Sequence, residues 1–312
     1  MIPSTPGLDV VVLGAAAMDM LAWVDHLPVK DGITLARKVE LQPGGSGANV
    51  AIAAARLGLK VGFIARIGSD ENGQILLNEF AREKVDTSAC HIVEDHPTAI
   101  CFITIDSNGD RSMVALGGAG PVENCEELDR DYLSRARLFY ITDAGHDILQ
   151  FTAGIALAKN NLLVYSPGGI MTAGGLENLV GVLPGVDVLL LSQSEANSLL
   201  PDHPPELAAR KLFARGARNV VITLGKQGVV CVTPEQSFSL PVFPVDPVVD
   251  TTGAGDALAG GLIAGLLFGD SLKEAIRYGC AAAAIKIAQP GARTGLPTRE
   301  EINHFLSLHP LE

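Results

Sequence analysis

The chain lacks the groups that staple small extracellular domains or build metal-centred folds. It has five cysteines, Cys90, Cys101, Cys125, Cys231 and Cys280, odd in number, scattered, and never in C-x-x-C spacing. That argues against a disulfide framework or structural zinc and favours a reducing, cytoplasmic compartment. All five read as buried free thiols. The seven histidines form no H-x-x-x-H pair. Positive charge is also scarce, with 23 Lys and Arg against 35 Asp and Glu and a net charge of -12. Nucleic acid is held by clustered cations, so a polyanion partner is disfavoured, while a local pocket for one nucleotide is not. No apolar run reaches the roughly 20 residues of a bilayer span. The run Val10 to Ala17 ends in three alanines like a secretory cleavage site. Yet no Lys or Arg precedes Lys30, and Asp9 and Asp19 flank the run, so a first core strand is expected.

What is present points to an α/β protein. Apolar residues make up 47% of the chain and aromatics only 5%, and there are 34 glycines. The core must be Ala, Val, Leu and Ile packed closely around backbone. A strand is expected over 9–14, a small-residue helix over 46–57 stopped by Gly58, a strand over 61–67 and a helix over 71–84. Residues 20–43 show no helical period. Two β-rich runs, 98–105 and 111–116, flank Asn108-Gly109, a strong hairpin signal. Strands at 138–142, 162–165, 188–191 and 220–224 then alternate with helices, which implies a parallel sheet covered on both faces. Helices are expected at 255–268, 272–288 and 299–308, the last two opened by the capping boxes Ser271/Glu274 and Thr298/Glu301. No repeat or linker divides the chain, so 1–312 reads as one α/β domain. Its β-rich segments, 20–43 and 98–116, are expected to pair outside the main layer as a lid.

The chemistry concentrates in glycine turns. Val248-Val-Asp-Thr-Thr-Gly-Ala-Gly-Asp256 runs directly into a helix. Gly253, Ala254 and Gly255 are small enough for their N–H groups to face an anion at that helix N-terminus, where the dipole also favours negative charge. Asp256 would then lie beside the anion as a proton acceptor, the pairing that phosphoryl transfer requires. An ordinary Gly-rich turn with an N-terminal Asp remains the competing reading. A dinucleotide fingerprint fails because Leu258 stands where the third glycine belongs, and no Walker P-loop occurs. Pro43-Gly-Gly-Ser-Gly-Ala-Asn49 opens the helix at 46. It permits close backbone approach to a ligand, or serves merely as a flexible loop with a Ser46 cap. Thr223-Leu-Gly-Lys-Gln-Gly228 is a third glycine turn, equally ambiguous alone.

Together these segments resemble the ribokinase family, also called the PfkB carbohydrate kinases. Gly44-Gly45-x-Gly-Ala-Asn49 through Gly68 and Gly73 is similar to the family's N-terminal signature. Asp250-Thr-x-Gly-Ala-Gly-Asp256 is similar to its C-terminal one, and Thr223-Leu-Gly-x-x-Gly228 to its nucleotide loop. The resemblance covers nearly the whole chain. It implies a ribokinase-like fold, a mostly parallel sheet between two helical layers with a small β lid, and an ATP-dependent kinase acting on a hydroxyl of a sugar. A nucleoside kinase and a non-catalytic sugar-binding regulator are the alternatives.

The resemblance also implies roles. Asp256 would be the base, and Gly253, Ala254 and Gly255 the anion hole. Thr223, Gly225, Gly228 and Ser192 would line the nucleotide site. Asp19, at the end of the first strand, would grip acceptor hydroxyls with Gly45, Asn49 and Asp143, although Asp143 also reads as a helix cap before His146. Mg²⁺ is implied near Glu195, but where the family has N-x-x-E this chain has Ser192-Gln-Ser-Glu195, itself a good capping box. A monovalent cation, K⁺, is implied at Asp250 and Thr252, with Lys286 able to supply a fixed positive charge instead. None of Asp19, Asn49 and Asp143 is cationic, which favours a neutral polyol over an acidic acceptor. The lid segments offer only Trp23 and Phe102 to stack a base, which ranks a free sugar above a nucleoside. The lid edges are suited to pairing in a homodimer.

Overall fold

A computed structural model describes residues 7–310. The strands in chain order are β1 (Val10–Leu13), β2 (Ala17–Val24), β3 (Ala36–Gly44), β4 (Val61–Ile64), β5 (Arg66–Gly68), β6 (His91–Val93) and β7 (Ile100–Ile105). They continue with β8 (Arg111–Ala115), β9 (Leu138–Thr142), β10 (Leu162–Ser166), β11 (Val188–Ser192), β12 (Val220–Thr223), β13 (Val229–Val232) and β14 (Ser237–Leu240).

The main sheet has eight strands in the order β14-β13-β12-β11-β10-β9-β1-β4. The six from β12 to β4 are parallel, whereas β13 and β14 add antiparallel at one edge. Continuous apolar strands such as Val10-Val-Val-Leu13 suit a sheet buried on both faces. Their side chains divide as a two-residue period requires. Val10, Val12, Leu138 and Tyr140 join one core with the helices Ser46–Arg56, Ala254–Phe268 and Leu272–Ile287. Val11, Leu13, Phe139 and Ile141 join the other, under the helices His146–Lys159 and Pro205–Phe213.

Glycine is what lets so few aromatics fill this volume. A Cβ placed on Gly261 would lie 2.7 Å from the Gly279 Cα, so the last two long helices touch backbone to backbone. Substituting either residue would force them apart.

The strand expected at 61–67 divides in two. Its single main-sheet neighbour, β1, ends at Leu13 opposite Ile64, and Arg66–Gly68 pairs instead with β6. The segment 17–44 and the hairpin 100–115 form a separate four-stranded sheet, β3-β2-β7-β8. Asp19 therefore lies inside β2, in this smaller sheet, and not at the end of the first strand. Gly14 breaks β1, and the chain re-enters strand at Ala17 against a different partner. Val39, Leu41, Met113 and Val114 leave apolar surface exposed on the small sheet.

Candidate active site

Two helix N-termini converge at the carboxyl ends of the parallel strands, where ligands of such sheets bind. The first belongs to Ser46–Arg56. Gly45 precedes it at φ 91°, with no room for a side chain: a Cβ would lie 2.6 Å from the Ala15 carbonyl. A Cβ on Gly47 would be 2.8 Å from the Gly14 Cα, so this helix start sits directly on the backbone leaving β1. The second belongs to Ala254–Phe268. Its N-cap, Gly253, has φ 75° and is wedged against Ala292, where a Cβ would come within 2.6 Å of the carbonyl oxygen. Gly255, two residues on, has nothing within 4 Å of where a Cβ would stand. The backbone there faces open space.

Asp256 joins the two. The Ser46 hydroxyl donates to its Oδ1 at 2.8 Å, and the Asn49 amide donates to its Oδ2 at 2.7 Å. Ser46 is thus a ligand of the carboxylate, not a helix cap. The Asn49 amide is itself held in place. Arg293 Nε donates to Asn49 Oδ1 at 2.7 Å, while its Nη2 donates to the Gly44 carbonyl at 2.7 Å and its Nη1 pairs with Glu79. With 7% of its surface exposed, the Arg293 guanidinium is wholly committed to protein. A chain runs from Glu79 through Arg293 and Asn49 to Asp256.

Three carboxylates lie around this junction, close enough for Asp256 to act on the other two, and burial raises all of them. Asp19 is raised to about 6 by burial, relieved by Arg293 and reinforced by the negative charge of Asp256. Asp143 is raised to about 6 by burial and by the charges of Asp256 and Glu195, against hydrogen bonds from Thr142 and the Ala15 N–H. Asp256 is also raised by burial, but Asn49, Ser46, Arg293 and Lys286 all pull it down. Of the three, it is the one surrounded by donors and cations. Asp143 sits just past β9 at φ 55°, and the following helix is capped by Gly145, so Asp143 is not a helix cap.

The strands on the other side bring together the residues expected to line a nucleotide site. Ser192 ends β11 opposite Thr223 at the end of β12. Thr223 donates to the Leu191 carbonyl at 3.4 Å, and a tight turn carries the chain from Gly225 to Gly228, which has φ 94°. Gly225, like Gly255, has nothing within 4 Å of a Cβ position. Ser192 and Glu195 close the capping box: Ser192 N–H donates to Glu195 Oε2 at 2.6 Å and its hydroxyl to the same oxygen at 2.8 Å.

The oxygens that the resemblance assigns to a monovalent cation are already engaged. Asp250 Oδ1 accepts from the Thr252 N–H and Oδ2 from the Gly291 N–H, both at 2.8 Å. Thr252 Oγ1 accepts from Arg111 Nη1 at 2.8 Å, across from the small sheet. Burial pushes the Asp250 carboxyl up, but the bonds from Thr252 and Gly291 and the Lys286 ammonium outweigh it, and the net shift is downward.

A match to the model of the "pfkB family carbohydrate kinase" spans residues 8–299. The chain belongs to this family. Among curated relatives, a ribokinase of Haemophilus influenzae is 33% identical over 95% of this chain and 97% of its own. An ATP-dependent ribose-1-phosphate kinase of Halopiger xanaduensis is 30% identical over 96% and 98%. The crystal structure of a Thermotoga maritima ribokinase superposes with a TM-score of 0.86 at 28% identity, covering 96% of this chain and 99% of that one. The fold is therefore ribokinase-like, and the protein is an ATP-dependent phosphotransferase with a sugar-type hydroxyl as acceptor.

Three residues that the structure brings to this candidate site carry little local mark of it in the sequence. Ser46 reads as a helix cap, Arg111 stands in the 98–116 segment, and Arg293 lies in none of the three glycine turns. A lone arginine in the glycine- and proline-rich stretch Gln289-Pro-Gly-Ala-Arg-Thr-Gly295 of a cation-poor chain was the available signal.

Proposed function

We propose that the protein phosphorylates a neutral sugar, a pentose or hexose, with Asp256 as general base. The observation that carries this is the setting of Asp256: both oxygens are held by neutral donors, at a helix N-terminus whose Gly255 faces open space. The acceptor hydroxyl would pass its proton to the Asp256 carboxylate as its oxygen bonds to the γ-phosphorus, and the bond from that phosphorus to the β–γ bridging oxygen breaks, releasing ADP. The N–H groups of Gly253 and Gly255 would receive the charge on the transferring oxygens, whereas the Ala254 N–H expected to join them donates instead to the Thr251 carbonyl at 3.2 Å. Such a base contributes about 10²–10⁴-fold and one such donor about 10²–10³-fold.

Asp19 and Asp143 would accept hydrogen bonds from the other hydroxyls, and Asn49 and the backbone at Gly45 would close that side. A carboxylated or phosphorylated acceptor would meet two carboxylates, and the buried Arg293 beside them has its donors committed. Neither aromatic expected to stack a nucleobase, Trp23 or Phe102, stands beside Asp19. Lys38 lies 4.8 Å over the Trp23 ring, and Trp23 is four strand positions from Asp19, roughly 13 Å. Phe102 pairs with Met20 while Asp19 pairs with Cys101, which puts Phe102 on the opposite face of the sheet.

Thr223, Gly225, Gly228 and Ser192 are assigned to ATP. Mg²⁺ would enter with the nucleotide and neutralise its phosphates. The chemistry of Glu195 fits a place beside that ion: it is acidic and close enough to Asp143 to raise it. Ser192 holds its Oε2, so Glu195 would act on the ion through its remaining oxygen and its charge. The small sheet would act as the lid that excludes water during transfer. Its exposed Val39, Leu41, Met113 and Val114 suit pairing with a second copy, in a cytoplasmic homodimer.

The test is ADP release across neutral sugars, sugar acids, sugar phosphates and nucleosides. Highest kcat/KM on a neutral sugar supports the assignment. Preference for a sugar acid or sugar phosphate overturns the charge argument, and preference for a nucleoside overturns the ranking of acceptors.

A further inference from the structure

We propose that the ammonium of Lys286 permanently takes the place of a monovalent cation behind the anion-binding loop, so that this kinase turns over without potassium. Lys286 lies in the last turn of the helix Leu272–Ile287 and is 0% exposed. A lysine is almost never fully buried unless its charge is satisfied. Here Nζ donates to the Asp250 carbonyl at 2.8 Å and lies 3.5 Å from the Gln289 carbonyl. Two main-chain carbonyls beside a carboxylate are the hard oxygen donors a potassium ion would use. In this chain an ammonium already occupies them.

The placement gives that charge a task. Asp250 begins the segment that turns at Gly253 into the proposed anion hole. The segment is clamped from below: the Val249 and Asp250 N–H groups both donate to the Ile287 carbonyl, at 2.8 and 3.1 Å, and Gly291 N–H donates to Asp250 Oδ2. Lys286 supplies the remaining tie, at the Asp250 carbonyl. It both holds the loop and places a fixed positive charge under it. A second cation brought to the same oxygens would be repelled by the first, and the Asp250 and Thr252 side-chain oxygens are already bonded to N–H donors. Lys286 is a positioning residue; it touches no reacting atom.

The inference rests on the reading of residues 253–255 as the anion hole, so its test pairs activity with a substrate-free measurement. Wild type and Lys286→Ser, which leaves a polar space, are compared in chloride salts of potassium, lithium and choline at equal ionic strength. Thermal unfolding is read without ligand, and turnover is read with ATP, Mg²⁺ and the fastest neutral sugar. Wild type should show the same melting temperature in potassium as in choline, and rates within twofold. Lys286→Ser should lose at least tenfold in kcat in choline. Potassium, but not lithium, should raise its melting temperature and recover several-fold of the rate. A tenfold potassium activation of the wild type overturns the proposal, and that comparison needs no variant to fold. So does a folded Lys286→Ser that loses activity with no ion-specific recovery by either measure. Potassium-specific stabilisation of the variant without recovered turnover would leave the cation replacement intact and remove the anion-hole reading instead.

Discussion

Asp19→Asn should make the protein more stable at neutral pH while impairing sugar binding. In the fold Asp19 is partly buried between β3 and β7, and its carboxyl rises from 3.8 to about 6, burial being the largest cause. A raised carboxyl pKa means that the folded state prefers the proton. Below about pH 4 both folded and unfolded states hold it, and Asp and Asn are nearly equivalent. Above about pH 6.5 both have lost it, and the folded protein carries the full penalty of a buried charge, about 3 kcal/mol at most. The amide has no such penalty, so its advantage grows between these limits and then levels off. For a chain of this length the gain corresponds to about 4–5 °C in melting temperature at pH 8, shrinking to nothing near pH 4. Differential scanning calorimetry of both proteins from pH 4 to 8, without ligand, measures it directly. The same variant should raise KM for the sugar more than KM for ATP. A gap in melting temperature that does not vary with pH, or an amide variant less stable at pH 8, would refute the assignment of Asp19 as a charge held at the expense of stability.

Asp256→Asn should fold and bind ATP near the wild-type level while kcat falls about 10²–10⁴-fold; a variant retaining most of its turnover would remove Asp256 from the mechanism. Arg293→Met should move the acid limb of the kcat/KM profile to higher pH, because losing a cation that pulls the Asp256 pKa down requires a higher pH to free the base. It also leaves Glu79 buried without its partner, at a cost of about 3–5 kcal/mol in chemical denaturation. An unmoved acid limb in a folded variant would make Arg293 purely structural. Glu195→Gln should raise the magnesium concentration needed for half-maximal rate, and a magnesium titration matching wild type would confine Glu195 to its capping box.

The sequence alone carried the layered architecture, because apolar strands alternating with helices have few ways to bury themselves. It also showed the caps at Ser271 and Thr298 and the turn at Gly253, since capping boxes and positive-φ glycines are local chemistry. The edge strands β13 and β14, by contrast, were not anticipated: they are short, and only the free edge of β12 gives them a partner. The division of 61–67 was likewise hidden, since nothing local to Ala65 reveals that β1 stops at Leu13. The site behaved the same way. Asp256 was legible from its own loop, but what holds it was not. Ser46 and Asn49 lie 210 and 207 residues away along the chain, and Arg293 reaches Asn49 across 244. Such contacts leave no periodicity or spacing in the sequence. They exist only once the two helix starts have been brought to the same ends of the sheet, and that same placement sets the burial behind the shifts of Asp19 and Asp143.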